Sequence, residues 1–574
     1  MANTLAVQFI GYNIVGSAEQ TFRYSNNGVT DSIDEAGEHY YPPYITNSIL
    51  IKQVAGSLQN DAVSVELSND RTLDDLVNYS FEGYSMKVYM ELSGSYKLLW
   101  VGKIEKLSLG TTKITVKGKS NFDILENLVN PATFTGDLDA DPYDGDAEII
   151  NKNKPRLFGQ VFNIRPVLLN PSKLIYGFNW GKDGERVSLS GTIQIRDGGL
   201  PLFDSGTHLT RSESKFLNGE NEYGDITTIP MSRDFPTTLA MDEYLPAPQA
   251  GSYYTCFAES TFKLGSVPVF DITLDVKSSF VYGDWIRIVC EENELFGYSI
   301  HRSPDYAIGC YFEHSADYKQ VNEYLAENLD IHLWFDGDAA LNVTRVEDDG
   351  STPAVHFIEA GIDFQDLTSV PFSQIIKKTY EKPYHSLSLH YQQNYTIQMQ
   401  SVLAGKATEE NDAVSLYEPK SLTVSKEKDW GDVYPIEHTD EMTCAIGETE
   451  DAQKEVDRIF DRYGTPNYGL DYFTLTCYLL EDVNNLILGV IPGGVSEQVD
   501  FSSTSVDTET AVYTMDNDNG IFAGALKTLL IGDPVYLTSN TFSYDKVRGI
   551  VDSFTIDSKN MKVTYVIEIP RLVS

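Results

Sequence analysis

Cysteine is scarce in this 574-residue chain: Cys256, Cys290, Cys310, Cys444 and Cys477 are the only five, never closer than 20 positions. That spacing excludes a Cys-x-x-Cys pair, and the odd number in so long a chain argues against a disulfide scaffold. Five separate reduced core thiols, in a protein folded in a reducing cytoplasm, are expected. Basic charge is short as well. Lys and Arg total 43 against 84 Asp and Glu, a formal net charge of −41, which argues against a protein that grips nucleic acid by neutralising phosphates. Lys and Arg read as scattered along the chain, without a local basic patch. No run reaches the ~18 apolar residues that a spanning helix needs, so no membrane insertion is expected. Met1-Ala2-Asn3-Thr4-Leu5 lacks the basic start of a signal peptide.

Motifs of catalysis are missing too. There is no Gly-x-Ser-x-Gly elbow, P-loop, dinucleotide fingerprint or HExxH pair, and no 20–50-residue repeat. The acidic loop at 137–148 offers Asp137, Asp139, Asp141 and Asp144 as hard oxygens for calcium. Pro142 stands where an EF-hand loop needs glycine, so a solvent-exposed loop without an ion is the expectation. His385 and His390 fall on opposite faces of an alternating strand by parity and cannot share an ion. His332, in an apolar run, reads as a satisfied half-core residue. The expectation is therefore no enzyme, no catalytic, cofactor-binding or metal-binding residues, and no cofactor.

What is present is period-2 alternation, the signature of half-buried antiparallel strands. Met86, Val88, Met90 and Leu92 line one side of a run that carries Lys87 and Glu91 on the other. Val63, Val65 and Leu67 repeat the pattern. Phe554 and Ile556, the turn residues Asp557-Ser558-Lys559-Asn560, and then Val563, Tyr565, Ile567 and Ile569 read as a hairpin. Two amphipathic helices are predicted. One runs from Ser315, as N-cap, to Leu329, and the other from Thr449 to Tyr463, stopped by Gly464. A chain this long exceeds the roughly 250–300 residues of a single core. The expected fold is mainly β: antiparallel barrel or sandwich domains with an inserted mixed α/β domain and few helices. Residues 1–135 are expected as an N-terminal β domain and 136–235 as an acidic loop and β connection. Residues 236–375 are expected as the α/β domain and 376–574 as a C-terminal β-barrel domain with one helix. Residues 348–373 read as a connection.

The order of small landmarks is the most specific signal. Pro155-Arg156-Leu157-Phe158-Gly159, followed by Asn163 and Pro166-Val167, resembles a Pro-x-x-Phe-Gly-x-x-x-Asn-x-x-Pro-Val segment of tail-tip and baseplate-hub proteins of long-tailed bacteriophages and gene-transfer particles. Trp100-Val101-Gly102-Lys103-Ile104 and Phe134-Thr135-Gly136 resemble the preceding module of the same family. Ile272-Thr273-Leu274-Asp275-Val276, Leu333-Trp334-Phe335, the Tyr391-x-x-Asn394-x-Thr396 strand and Gly532-Asp533-Pro534-Val535 continue the series. Residues 1–60 and 177–250 depart from the pattern. The resemblance implies a structural virion protein at the tail tip, assembled in the host cytoplasm, that closes the distal end of the tail tube and attaches fibre or spike proteins. It implies tail-tube or distal-tail, fibre or spike, and tape-measure partners, with DNA passing without specific binding. Hubs of this family are commonly trimers with two tube-like barrels per subunit, so a homotrimer is expected and a hexamer is the alternative. A receptor-binding adhesin for host glycan and a glycan-degrading tail enzyme are the rival readings. The family's four-cysteine iron–sulfur cluster is not implied here, because the cysteine spacing does not match it.

Overall fold

The structure is a computed structural model. It describes residues 4–570 outside 55–61, 139–143, 188–191, 202–208, 211–225, 231–252, 258–260, 264–271, 336–340, 360–368, 397–420, 465–468, 479–528, 558–561 and shorter breaks of one to four residues. Strands dominate, as the alternation predicts, and most pair antiparallel.

Residues 5–119 make a curled antiparallel sheet in the order Ala18–Ser25, Leu5–Asn13, Ser85–Leu92, Ser95–Leu109, Lys113–Lys119, Val63–Ser68. Its inward positions are the alternating apolar ones: Val63, Val65, Leu67, Met86, Val88 and Met90 are all buried. The sheet's two edge strands are tied together by residues 42–47. Ser25 donates its amide to Pro42 O (2.8 Å) and accepts from Ile45 N (2.9 Å), while Thr46 N reaches Glu66 O (2.9 Å) and Ser68 N reaches Tyr44 O (2.8 Å). The tie closes a small barrel, which removes the exposed edges that would otherwise recruit stray strands. Trp100 explains the Trp-x-Gly-x-Ile pattern. A Cβ on Gly102 or Gly118 would lie 2.6 or 2.4 Å from its indole, so only glycine leaves room for that ring in the barrel.

A second ring runs Pro534–Ser539, Val355–Glu359, Ser369–Glu381, Leu470–Tyr478, Lys562–Pro570, Tyr544–Asp557 and back to Pro534–Ser539. The hairpin expected from Phe554 to Ile569 is there, with Asp557 opposite Lys562; its turn residues Ser558, Lys559 and Asn560 lie outside the described residues. The stretch 348–373 is not simply a connection. Val355–Glu359 pairs in parallel with both ring neighbours and is buried at four of its five positions. A strand buried on both faces does not alternate, which hid it. Leu50–Val54 pairs with Asp557–Ser553, so the early part of the chain lends a strand to the late ring. Both rings share one core, in which Ile51 and Val65 belong with Phe554 and Ile567.

A second core belongs to three helices and small sheets. Helices α1 (Tyr282–Glu292), α2 (Tyr318–Ala326) and α3 (Thr449–Gly464) pack with Leu333, Val343, Leu387 and Leu389. Helix α2 is shorter than Ser315–Leu329. Asp317 caps it, accepting from Gln320 N at 2.7 Å while Gln320 Oε1 accepts from Asp317 N, and this reciprocal box sets the start two residues after Ser315. Helix α1 was not anticipated, although Trp285, Ile286, Val289 and Cys290 make a buried stripe at helical spacing. Among the described residues, no helix is long and apolar enough to cross a membrane.

Candidate functional site

The segments that carry the family resemblance meet at one buried residue. Asn163 is fully buried and has a φ of 50°, a left-handed conformation that Asn adopts more readily than most residues. Its strand, Val161–Ile164, pairs with Ile272–Lys277. Asn163 N–H donates to the Asp275 carboxylate at 2.9 Å, and Thr273 Oγ1 donates to its side-chain oxygen at 3.3 Å. Its Nδ2 donates to Asn394 Oδ1 at 3.2 Å. Its carbonyl accepts from Thr396 N at 3.0 Å and from Thr396 Oγ1 at 2.5 Å. Tyr391, at the head of the Tyr-x-x-Asn-x-Thr run, hydrogen-bonds Thr449 at the start of α3 (2.7 Å). Upstream, Gly159 has a φ of 65°, and a Cβ there would lie 1.9 Å from Ile308 O; Phe158 packs edge-on against Trp285 of α1. These motif residues are a structural knot: both Asn163 nitrogens, Thr273 Oγ1 and the Thr396 amide and hydroxyl all donate to other protein groups.

A charged joint links this unit to the second ring. Arg458 of α3 donates to Glu455 (2.7 Å) and Asp330 (2.9 Å). Arg462, one turn on, donates to Asp330 (2.7 Å) and, with two nitrogens, to Glu568 of strand Lys562–Pro570 (2.9 and 2.5 Å). Arg345 of strand Leu341–Arg345 pairs with Glu455, which is fully buried. Burial pushes the Asp330 carboxyl up, and the guanidinium groups of Arg458 and Arg462 more than offset that, so it sits below the usual range. Arg302 and Asp533 (2.6 Å) make a second tie across the same joint.

The acidic stretch is only partly described: Asp139 and Asp141 lie outside the described residues. Asp144 corrects the reading of an exposed loop, because it is 4% exposed. It accepts from Thr135 N (2.8 Å) and pairs with Lys154 (2.7 Å). Burial raises its pKa, but the Lys154 and Thr135 hydrogen bonds outweigh this and hold it below the ordinary value. His332 is buried, but it is not satisfied: among the described residues, neither ring nitrogen has a hydrogen-bond partner. It stacks on Trp334 at 5.3 Å, and burial pushes its pKa down to about 3. His385 is used structurally, between Tyr434 O (2.8 Å) and His438 N (3.0 Å). His390 Nδ1 faces Thr423 Oγ1 at 2.9 Å. Cys290, Cys310, Cys444 and Cys477 are buried free thiols, and burial pushes Cys290 and Cys444 up to about 12, far from nucleophilic. The Cys256 side chain lies outside the described residues. Among the described residues, no group of three or more His, Cys, Asp or Glu is placed to hold a metal ion. A cleft of about 350 Å³ lies between strand Arg156–Gly159 and α1. Its Arg156 is engaged by Glu292 (2.8 Å) and its Asp284 by Val281 N (3.1 Å).

Basic charge is not scattered once the strands are paired. Residues 84–119 hold seven lysines and two glutamates. Pairing sets Lys106 directly opposite Lys117 and Lys103 opposite Lys119, with Ile104 and Val116 turned the other way into the core. Spacing of two to ten residues dilutes the lysines in the linear sequence, and the register brings two pairs of them together.

No protein-family model matches the chain, and no curated protein matches its sequence. Among solved structures it is similar to the tail protein from Neisseria meningitidis MC58, at 8% identity over 99% of this chain and 97% of that one, with a TM-score of 0.38. It is similar to the 43 kDa tail protein of prophage MuSo2 from Shewanella oneidensis, at 10% identity over 94% and 97%, with a TM-score of 0.38. A chain of the native gene transfer agent virion aligns at 9% identity over 51% and 84%, with a TM-score of 0.18.

Proposed function

We propose that this chain is a non-catalytic structural subunit of a phage-type tail, a hub that closes the distal end of the tail tube, receives the tube on one side and holds fibre or spike proteins on the other. The observation that carries the reading is the knot at Asn163. Three segments picked out by family resemblance, around residues 155–167, 272–276 and 387–396, are far apart in sequence and converge there on shared hydrogen bonds. Two closed strand rings per chain fit a homotrimer that offers six barrels to a sixfold tube. Closed rings also leave rigid walls without loose edges. A net charge of −41 suits a channel that DNA crosses without sticking. The proposed partners are a second and third copy, the tail tube or distal tail, fibre or spike proteins and the tape measure, at the virion tail tip.

Gold-labelled antibody against the chain, applied to tailed particles, is expected to mark the distal tail tip. Absence of label from tails would contradict the reading. Binding of the purified chain to host cells would favour the adhesin instead, and release of reducing sugar from host polysaccharide would favour the enzyme.

A further inference from the structure

The lysine face of the first barrel is out of character for the molecule. The chain carries −41 overall, yet residues 84–119 carry +5, seven lysines less two glutamates. Lys106 and Lys117 are exposed and sit directly opposite one another, with no ion-pair partner for either among the described residues. Lys103 and Lys119 repeat the pairing alongside. Like charges directly opposite on a sheet destabilise it, and a strand merely keeping itself soluble does better by alternating sign. The block holds no arginine. A surface made to grip phosphate favours planar arginine forks, whereas mobile lysine point charges suit a hydrated contact with carboxylates.

The same chain supplies the complement. Residues 427–461 hold twelve acids and three bases, a net −9. Glu427, Asp429, Glu437, Asp440, Glu441 and Glu450 there are exposed. This acidic block runs from the end of strand Leu422–Glu427 through most of α3, in the second core, while the lysine strands belong to the first.

We propose that the lysine face of one copy docks the acidic face of a second copy, head to tail. Such a contact joins unlike surfaces and generates a ring when its rotation closes. The proposal rests on the self-assembling hub reading above and names the surface that reading leaves open. Within about 8 Å, the screening length at physiological salt, these local charges outweigh the repulsion between two acidic chains.

The test is a charge swap in the full chain at about 100 μM, with assembly mass read by sedimentation at about 50 and 500 mM NaCl. Wild type is expected to assemble at low salt and dissociate at high salt. Lys106→Glu with Lys117→Glu should weaken assembly about tenfold or more. Adding Asp440→Lys and Glu441→Lys should recover most of the loss, and Lys319→Glu, on the exposed side of α2, should change nothing. Assembly unaffected by the lysine reversal, insensitive to salt or absent at every salt would overturn the proposal. So would a fluorescent DNA duplex that binds wild type and loses its binding with the lysines. A successful swap with no label on tails would leave this contact standing and remove the tail role; label on tails with a failed swap would do the opposite.

Discussion

His332 sits in strand Ile331–Phe335 with both ring nitrogens unpartnered among the described residues and its face against Trp334. Folded, it stays neutral down to about pH 3; unfolded, it titrates near 6.5. Below pH 6.5 the unfolded chain therefore holds a proton that the folded chain does not. Stability is fully present above that pH and falls by about 1.4 kcal/mol per pH unit as pH drops toward 3. His332→Phe keeps the stacking and removes the titration. Its melting temperature should match wild type near pH 7.5 and exceed it increasingly toward pH 4.5, and equal acid sensitivity in the two proteins would contradict this. Arg462 is the opposite case, a charge paired with a carboxylate, Glu568, that is itself buried. Arg462→Met strands Glu568, which is 2% exposed, and should cost about 3–5 kcal/mol in chemical denaturation. Adding Glu568→Gln should recover part of that, and a single-variant cost below ~1 kcal/mol would show the joint to be slack. The His332 position was legible as buried, but its lack of partners was not, because what lies opposite a strand is set by residues distant in sequence.

At the scale of elements, the edges of the first barrel depend on a few polar groups. Asn47 imitates a strand: its Oδ1 accepts from Glu66 N at 2.8 Å and its Nδ2 donates to Ser64 O at 2.8 Å. Asn47→Ala removes both bonds. We expect a loss of about 1–2 kcal/mol and roughly tenfold faster hydrogen exchange at the Glu66 amide; unchanged exchange would mean that the backbone tie at residues 42–46 suffices alone. Elements were legible where local patterning and packing agreed. Helix α3 buries Ala452, Val456, Ile459 and Phe460, the stripe its sequence displays. Helix α1 was missed because its apolar stripe is built of β-branched and aromatic residues, which favour strands in isolation, and Gly283 blurs its start. Val355–Glu359 was missed because a strand buried on both faces has no polar rhythm to read.

For the whole molecule, the two rings are the feature from which the proposed role is argued. Strand content and the late hairpin could be read from alternation, whereas the pairing of Leu50–Val54 with Ser553–Asp557 and the interleaving of residues 355–381 with the last strands could not. These are contacts across some two hundred to five hundred residues, and nothing local encodes them. The lysine face belongs to the same class: four of the seven lysines look dispersed until the register sets Lys106 opposite Lys117 and Lys103 opposite Lys119. If each chain brings two barrels to a sixfold tube, three chains complete the ring, with interfaces in the particle larger than the standard ~1,600 Å². Imaging whole particles at a resolution that counts subunits tests this directly. Three copies at the distal tail tip, presenting six barrels toward the tube, are the result predicted; six copies in that ring, or none at the tip, would contradict it.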